Sequence, residues 1–159
     1  MRFVPDVPDA PDMPVVWQVC FADRVRRAPW DWICPQNYRH AFLLGYLPGL
    51  DRWLCYDVLF FKTEITVLSG ALAGRLLTTA QRQGGVLNWP APGALKASWW
   101  PRFGFWCVPA IKHVLGLRCV AMTPKGLHDW MVRHGARPLV EESHVPIQHP
   151  ESPGGRPGG

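Results

Sequence analysis

The sequence predicts a single α+β domain in which an antiparallel β-sheet of about four strands is followed by packed helices. The chain of 159 residues is long enough to bury a core, and its 48% hydrophobic and 18% charged residues argue against global disorder. Short β-branched and apolar segments fill the first half, whereas helix-capping and helix-ending residues punctuate the second half. Strands therefore precede helices, which is typical of α+β domains.

Both ends of the chain are predicted to lie outside the folded domain. Residues 5–14 read PDVPDAPDMP, and a segment with a proline at every third position cannot form a helix. Residues 141–159 are rich in proline, glycine and polar side chains. We therefore expect an extended arm over 1–14, one domain over 15–140 and a disordered tail over 141–159.

Four segments of β-branched and apolar residues predict strands. The second and third flank the turn signal Pro48-Gly49 and are expected to form a hairpin. The strands are predicted at residues 15–21, 38–46, 52–61 and 64–68, and residues 86–88 could add a short further strand.

Capping residues predict three helices. The first is expected over about residues 70–82, after the N-cap residue Ser69, and the last follows the N-cap residue Thr123. Between them, Pro109 suits the first turn of a short helix that Gly116 ends.

Cys107 is predicted to lie just outside the N-terminus of this short helix. The first N–H groups of a helix have no partner within it, and the helix dipole is positive at this end. A thiol at such a position ionises more easily than a thiol in an apolar core. Cys107 is therefore a candidate nucleophile.

The predicted hairpin supplies a candidate base and a residue to orient it. If the two-residue segment Pro48-Gly49 forms the turn, Leu47 pairs with Leu50. The same register places His40 opposite Asp57, with both side chains on one face of the sheet. A slip of one residue would separate the two side chains.

These three residue types suit covalent catalysis by a thiol. A carboxylate at one imidazole nitrogen fixes the tautomer and raises the basicity of the other, which can then take a proton from a thiol. We therefore assign Cys107 as nucleophile, His40 as general base and then acid, and Asp57 as the orienting residue. The indole rings of Trp99, Trp100 and Trp106 are expected to bound the substrate cleft.

Residues 38–44 (YRHAFLL), Asp57, and Cys107-Val108 at the opening of a helix resemble a permuted NlpC/P60-type domain of the papain-like cysteine hydrolase superfamily. The chain is also similar to small uncharacterised bacterial and phage proteins with this layout, over about residues 15–133. It departs from several permuted relatives at Trp106, where they carry asparagine, and at Asp57, where histidine or glutamate is frequent. The resemblance implies metal-free hydrolysis or acyl transfer on an amide, ester or thioester, with peptides or lipid esters as substrates and no cofactor.

The main alternative is a non-catalytic structural or interaction module, such as a phage or accessory protein. Nine tryptophans could form a surface for a protein partner, and the N-terminal arm could serve the same purpose. The net charge of +5 would attract nucleic acid weakly. The sequence contains no long run of basic residues, so nucleic acid is not the expected partner.

The cysteine pattern and the hydropathy of the sequence indicate in which cellular compartment the protein is expected. Five cysteines without a CxxC pair fit neither a disulfide framework nor a zinc site, so no metal is expected and a reducing compartment is favoured. The N-terminus lacks the apolar run of a signal peptide, and no segment is long enough to span a bilayer. We expect a cytoplasmic or virion-associated protein without a transmembrane segment.

Overall fold

The computed structural model describes residue 14 and residues 16–23, 32–59, 62–90 and 106–139. The predicted N-terminal arm, apart from Pro14, and the predicted tail lie outside the described residues. So do Trp99 and Trp100. Pro14 is buried and lies close to Gly45 on the second strand.

The described residues form a sheet of six strands and three α-helices. The strands are β1 (Val16–Ala22), β2 (His40–Leu47), β3 (Arg52–Val58), β4 (Thr63–Leu68), β5 (Gly85–Pro90) and β6 (Arg137–Pro138). The helices are α1 (Gly70–Arg82), α2 (Cys107–Val114) and α3 (Pro124–Arg133).

The α+β class and the antiparallel sheet are confirmed, but the predicted count of about four strands is wrong. The strand order is β4-β3-β2-β1-β5-β6, and every neighbouring pair is antiparallel. The short segment at 86–88 belongs to β5, which pairs with the first strand of the chain rather than with a sequence neighbour. The two-residue β6 includes Pro138, a residue that sheets accept at an edge but that argues against a strand in a sequence pattern.

Helices cover both faces of the sheet. One face carries the larger core, in which strand residues such as Phe21 and Leu43 pack with Ile111 of α2 and Met131 of α3. The opposite face carries a smaller core, in which Cys20, Leu44 and Val86 pack with Ala80 of α1. Alternate residues of the central strands therefore enter different cores, which accounts for the nearly continuous burial of β1 and β2.

Local capping explains where the helices begin. The side chain of Ser69 accepts a hydrogen bond from the Leu72 N–H, and Thr123 accepts one from the Gly126 N–H. The N-cap residue of α2 is Trp106, whose backbone is extended. Cys107 is therefore the first residue of its helix rather than a residue just outside it. Pro109 still falls in the first turn, where helices tolerate its missing N–H.

The hairpin of β2 and β3 has a different register from the predicted one. Leu47 pairs with Arg52 instead of Leu50, a shift of two residues. The chain turns through a 3-10 segment at Pro48–Leu50 and through Asp51, which has a left-handed backbone with φ 49° and ψ 47°. This four-residue connection replaces the predicted two-residue turn. Because side chains alternate with a period of two, the shift keeps His40 and Asp57 on one face.

The two strands of this hairpin separate at the end that carries His40. Their pairing stops at Leu43 and Tyr56. By contrast, β2 stays paired with β1 as far as His40, and β3 stays paired with β4 as far as Val58. The sheet is therefore open between the first residues of β2 and the last residues of β3, and the candidate site lies at this opening.

Candidate active site

His40 and Asp57 form a close contact at the opening of the sheet. Nε2 of His40 lies 2.7 Å from Oδ1 of Asp57, so the imidazole N–H donates to the carboxylate. Continuing the observed register would place Asp57 opposite Phe42, so the contact to His40 is diagonal across the separated strands. His40 is 7% exposed and is a buried polar residue, for which such a bond is needed.

The surroundings of His40 favour its protonated form. Burial lowers the pKa of the imidazole, but hydrogen bonds to Asp57 and Cys107, together with the negative charges of those groups, raise it. The balance raises the pKa of His40 from 6.5 to about 9. At neutral pH the ring therefore carries a positive charge between two acidic groups.

The second ring nitrogen of His40 is oriented away from the carboxylate contact. Nδ1 is buried, and the ring also interacts with Cys107. Asp57 therefore holds one nitrogen of the ring, while the other remains available for proton transfer.

Cys107 supplies the third group. It is the first residue of α2 and is 2% exposed, and α2 packs against both β2 and β3. Its interaction with the imidazole is one of the causes of the raised pKa of His40. The structure thus brings Cys107, His40 and Asp57 together from a hairpin and a helix that lie far apart in the sequence.

The face of the hairpin that carries Phe42 and Leu44 packs against α1 rather than against α2. Phe42 and Leu44 share the sheet face of His40, and they pack in the smaller core with α1. Cys107 belongs to the larger core on the opposite face. His40 nevertheless interacts with Cys107, at the end of β2 where β2 and β3 no longer pair.

Trp106 lies beside the site, as its position in the sequence requires. Its indole Nε1–H donates to the Met122 carbonyl at 3.1 Å, and its ring packs partly buried against the larger core. This bond ties the start of α2 to the segment that precedes α3. Trp99 and Trp100, the other two predicted cleft residues, lie outside the described residues.

A second thiol allows a comparison with Cys107. Cys55 of β3 is half-buried, and burial together with the charges of Asp57 and Glu64 raises its pKa to about 11. It therefore remains a protonated thiol at neutral pH. Exposure alone therefore does not decide whether a thiol of this chain ionises.

Two further observations concern metals and membranes. No group of three or more histidine, cysteine, aspartate or glutamate side chains that could hold a metal ion occurs within the described ranges. Over the same part of the chain, no helix combines the length and the apolar character needed to cross a bilayer.

Arg39 is a residue near the site that the sequence analysis did not select. It directly precedes His40 and is half-buried, and its Nε is buried without a hydrogen-bond partner in the described part of the chain. Adjacency to the candidate base was the only signal in the sequence, because the absence of an acceptor for Nε among the described residues depends on the tertiary fold.

Comparisons with known proteins give no match. No protein-family model, no curated protein and no solved structure is similar to the chain at a significant level.

Proposed function

We propose that this protein is a thiol-dependent hydrolase or acyltransferase that acts on an amide, ester or thioester through Cys107, His40 and Asp57. The observation that carries the proposal is the partly buried His40–Asp57 bond of 2.7 Å on a ring that also interacts with Cys107. A base oriented by a carboxylate and placed beside a thiol is the arrangement that activates a cysteine nucleophile.

The first chemical step begins from the charged pair. The negative charge at Cys107 raises the pKa of His40, and by reciprocity the imidazolium stabilises the Cys107 thiolate. The thiolate attacks the substrate carbonyl carbon, and a C–S bond forms as the carbonyl electrons move to oxygen. When the carbon–leaving-group bond breaks, the His40 imidazolium donates its proton to the departing amine, alcohol or thiol.

The second step regenerates the enzyme. The neutral imidazole of His40 takes a proton from water, or from an acceptor alcohol, amine or thiol, and the resulting nucleophile attacks the acyl-thioester. The C–S bond then breaks and the thiolate returns. Asp57 stabilises the imidazolium in both steps and keeps the ring in one orientation.

The start of α2 supplies groups for the oxyanion. The first N–H groups of a helix have no intrahelical partner, and the side chain of the N-cap residue Trp106 makes no capping bond. Pro109 has no N–H to offer, so the N–H groups of Cys107 and Val108 are those that would donate to the oxyanion.

The chain order of the three residues also supports a permuted papain-like architecture as part of the proposal. His40 and Asp57 come from strands that precede α2, and Cys107 opens that helix. An unpermuted papain-like enzyme would have the cysteine helix first. Asp57 and Trp106 remain departures from the family pattern, and they bear on the reaction more than on the fold.

Acyl transfer to the protein tests the proposal directly. The full chain is incubated with a panel of peptide, lipid-ester and thioester probes, and the acylated residue is mapped by mass spectrometry. We expect the acyl group on Cys107 in the native chain and none in Cys107→Ala. Acylation of Cys20 or Cys34 in place of Cys107 would contradict the proposal, and absence of acylation by every probe would favour the non-catalytic interaction module.

A further inference from the structure

One row of residues crosses the sheet from β1 to the β4 edge on the face of the larger core. Trp17 pairs with Gly45. Gly45 in turn pairs with Leu54, and Leu54 pairs with Val67. Residues that lie directly opposite each other in an antiparallel sheet share a face, so all four positions lie on the side where Trp17 enters the larger core.

This row is covered near β1 and open at the edge. A Cβ built at Gly45 would lie 2.6 Å from Cγ of Pro14, so Pro14 packs on the sheet where Gly45 leaves space. By contrast, Val67 is 56% exposed, and Ile65, which shares its face, is 65% exposed. Exposed β-branched side chains on an edge strand are a surface that proteins usually protect. We refer to Leu54, Ile65 and Val67 as the edge strip.

The course of the chain before β1 leads towards the edge strip. Trp17 lies on β1, but Pro14, three residues earlier, lies over Gly45 of β2. Neighbouring strands are about 4.8 Å apart, so Val67 of β4 is about 10 Å further along the row. Three residues of a polyproline II chain cover about 9 Å. Residues 11–13 are therefore long enough to reach Val67.

The sequence before Pro14 repeats with a period of three. An apolar residue, a proline and an aspartate follow one another in Val4-Pro5-Asp6, Val7-Pro8-Asp9, Ala10-Pro11-Asp12 and Met13-Pro14. A polyproline II helix has three residues per turn, so each of these classes would form its own line along the helix. Two of the three lines are then apolar, and the third is acidic.

We propose that residues 4–13 dock as a polyproline II arm across the larger-core face, with the apolar lines on the edge strip and Asp12 paired with Arg52. Arg52 of β3 is exposed and lies two residues from Leu54, hence on the same face. Asp12 lies two residues before Pro14, a distance that brings it over β3. Because the arm is tethered at Pro14, its effective concentration favours it over a separate partner.

Photo-crosslinking from the edge of the sheet tests the arm in the full chain. Val67→benzoylphenylalanine places the probe in the edge strip, and Leu72→benzoylphenylalanine places it at an exposed residue of α1 on the opposite face. We expect cross-links from position 67 to residues 8–13, and none from position 72 to those residues. Mixing nitrogen-15-labelled and unlabelled chains should give cross-links within single chains. Cross-links that join labelled to unlabelled chains would assign the edge strip to a second copy and overturn the proposal, as would the absence of arm cross-links from position 67.

Exchange of two charges tests the pairing of the arm with β3. Asp12→Arg or Arg52→Asp alone should lower the yield of arm cross-links about twofold to fivefold, the effect of one exposed ion pair. The two substitutions together should restore the yield. Arg75→Asp, which changes an exposed arginine of α1, should not restore it in Asp12→Arg. Equal yields in all variants, or restoration by Arg75→Asp, would overturn this pairing.

Discussion

Nε2 of His40 and Oδ1 of Asp57 are 2.7 Å apart although the two residues do not lie opposite each other in the hairpin. The observed register would place Phe42 opposite Asp57, and the strands have already separated at this level. The contact forms because two side chains on the same face of neighbouring strands can meet diagonally. The separation also leaves room for the first residue of α2 to interact with the ring.

Thiol reactivity should identify Cys107 in spite of its burial. Cys107 is 2% exposed and Cys55 is half-buried, but the pKa of Cys55 is raised to about 11, so it remains protonated at pH 7. We expect a neutral alkylating reagent to modify Cys107 faster than Cys55 in the folded chain. Cys107→Ala should remove the fast phase, whereas Cys55→Ala should retain it.

Peptide mapping of the labelled protein at several times checks this order of rates. Faster modification of Cys55, Cys20 or Cys34 than of Cys107 would contradict the assignment of the nucleophile. The unfolded chain is the reference, because in urea all five cysteines should react at similar rates.

The carboxylate of Asp57 should be needed for this reactivity. Replacing it by an amide in Asp57→Asn removes the negative charge that helps to keep His40 protonated, so the thiolate of Cys107 loses its counterion. We expect the alkylation rate at pH 7 to fall at least about tenfold, since one neighbouring charge typically moves a pKa by about one to three. The measurement is the pH dependence of the alkylation rate at Cys107.

Asp129→Asn provides the matched control for Asp57→Asn. Asp129 contacts His128 at 3.1 Å, and this second histidine–carboxylate contact lies on α3. Its removal should leave the rate at Cys107 unchanged. Equal losses in the two variants would mean that the effect of Asp57 is not exerted through His40.

Stability should fall as the solution becomes basic because His40 loses its proton. Its pKa is about 9 in the folded chain and 6.5 as the ordinary value, so its contribution is fully present below about pH 6.5 and is lost as the pH rises through about 9. A rise from 6.5 to about 9 corresponds to at most about 3 kcal/mol, since part of the interaction is shared with Cys107.

Urea unfolding of the native chain and of His40→Gln at pH 6 and at pH 10 measures this contribution. The difference in the free energy of unfolding between the two proteins should shrink at the higher pH. A difference that is the same at both values would contradict a raised pKa of His40 in the folded chain.

Local signals account for the parts of the fold that the sequence predicts well. The bounds of α1 agree with the prediction because a side-chain cap at Ser69 and a turn with two glycines after Gln83 act over a few residues. The shared face of His40 and Asp57 was also predictable, because the period of two tolerates the wrong turn length. By contrast, β5 pairs with β1 across more than sixty residues of chain, a contact without a local signal.

The third member of the site depends on tertiary packing. The sequence predicts a helix that begins near Cys107, but it does not specify the sheet face on which that helix packs. Nor does it reveal that β2 is not paired with β3 at the residues before Leu43. Cys107, a member of the larger core, interacts with the His40 ring at this unpaired end.

Replacement of Gly84 by a larger residue should disturb the segment that leads into β2. A Cβ at this position would clash with the Asn37 carbonyl oxygen and would lie 2.9 Å from the Phe21 carbonyl oxygen, and backbone atoms cannot move aside cheaply. Gly84→Ala should therefore lower the free energy of unfolding by about 1–3 kcal/mol, as overpacking does elsewhere. It should also slow alkylation of Cys107, because Asn37 begins the short segment that positions His40. Chemical denaturation and the alkylation rate measure the two effects.

Gly74→Ala is the control for this substitution. Nothing lies within 4 Å of a Cβ built at Gly74 in α1, and loss of a helical glycine should stabilise the protein by about 0.5–1 kcal/mol. Opposite signs in the two variants would separate the close backbone approach at Gly84 from the general effect of adding a methyl group. A Gly84→Ala variant as stable and as reactive as the native chain would contradict the close approach of these backbone segments, because the added Cβ would then have met no resistance.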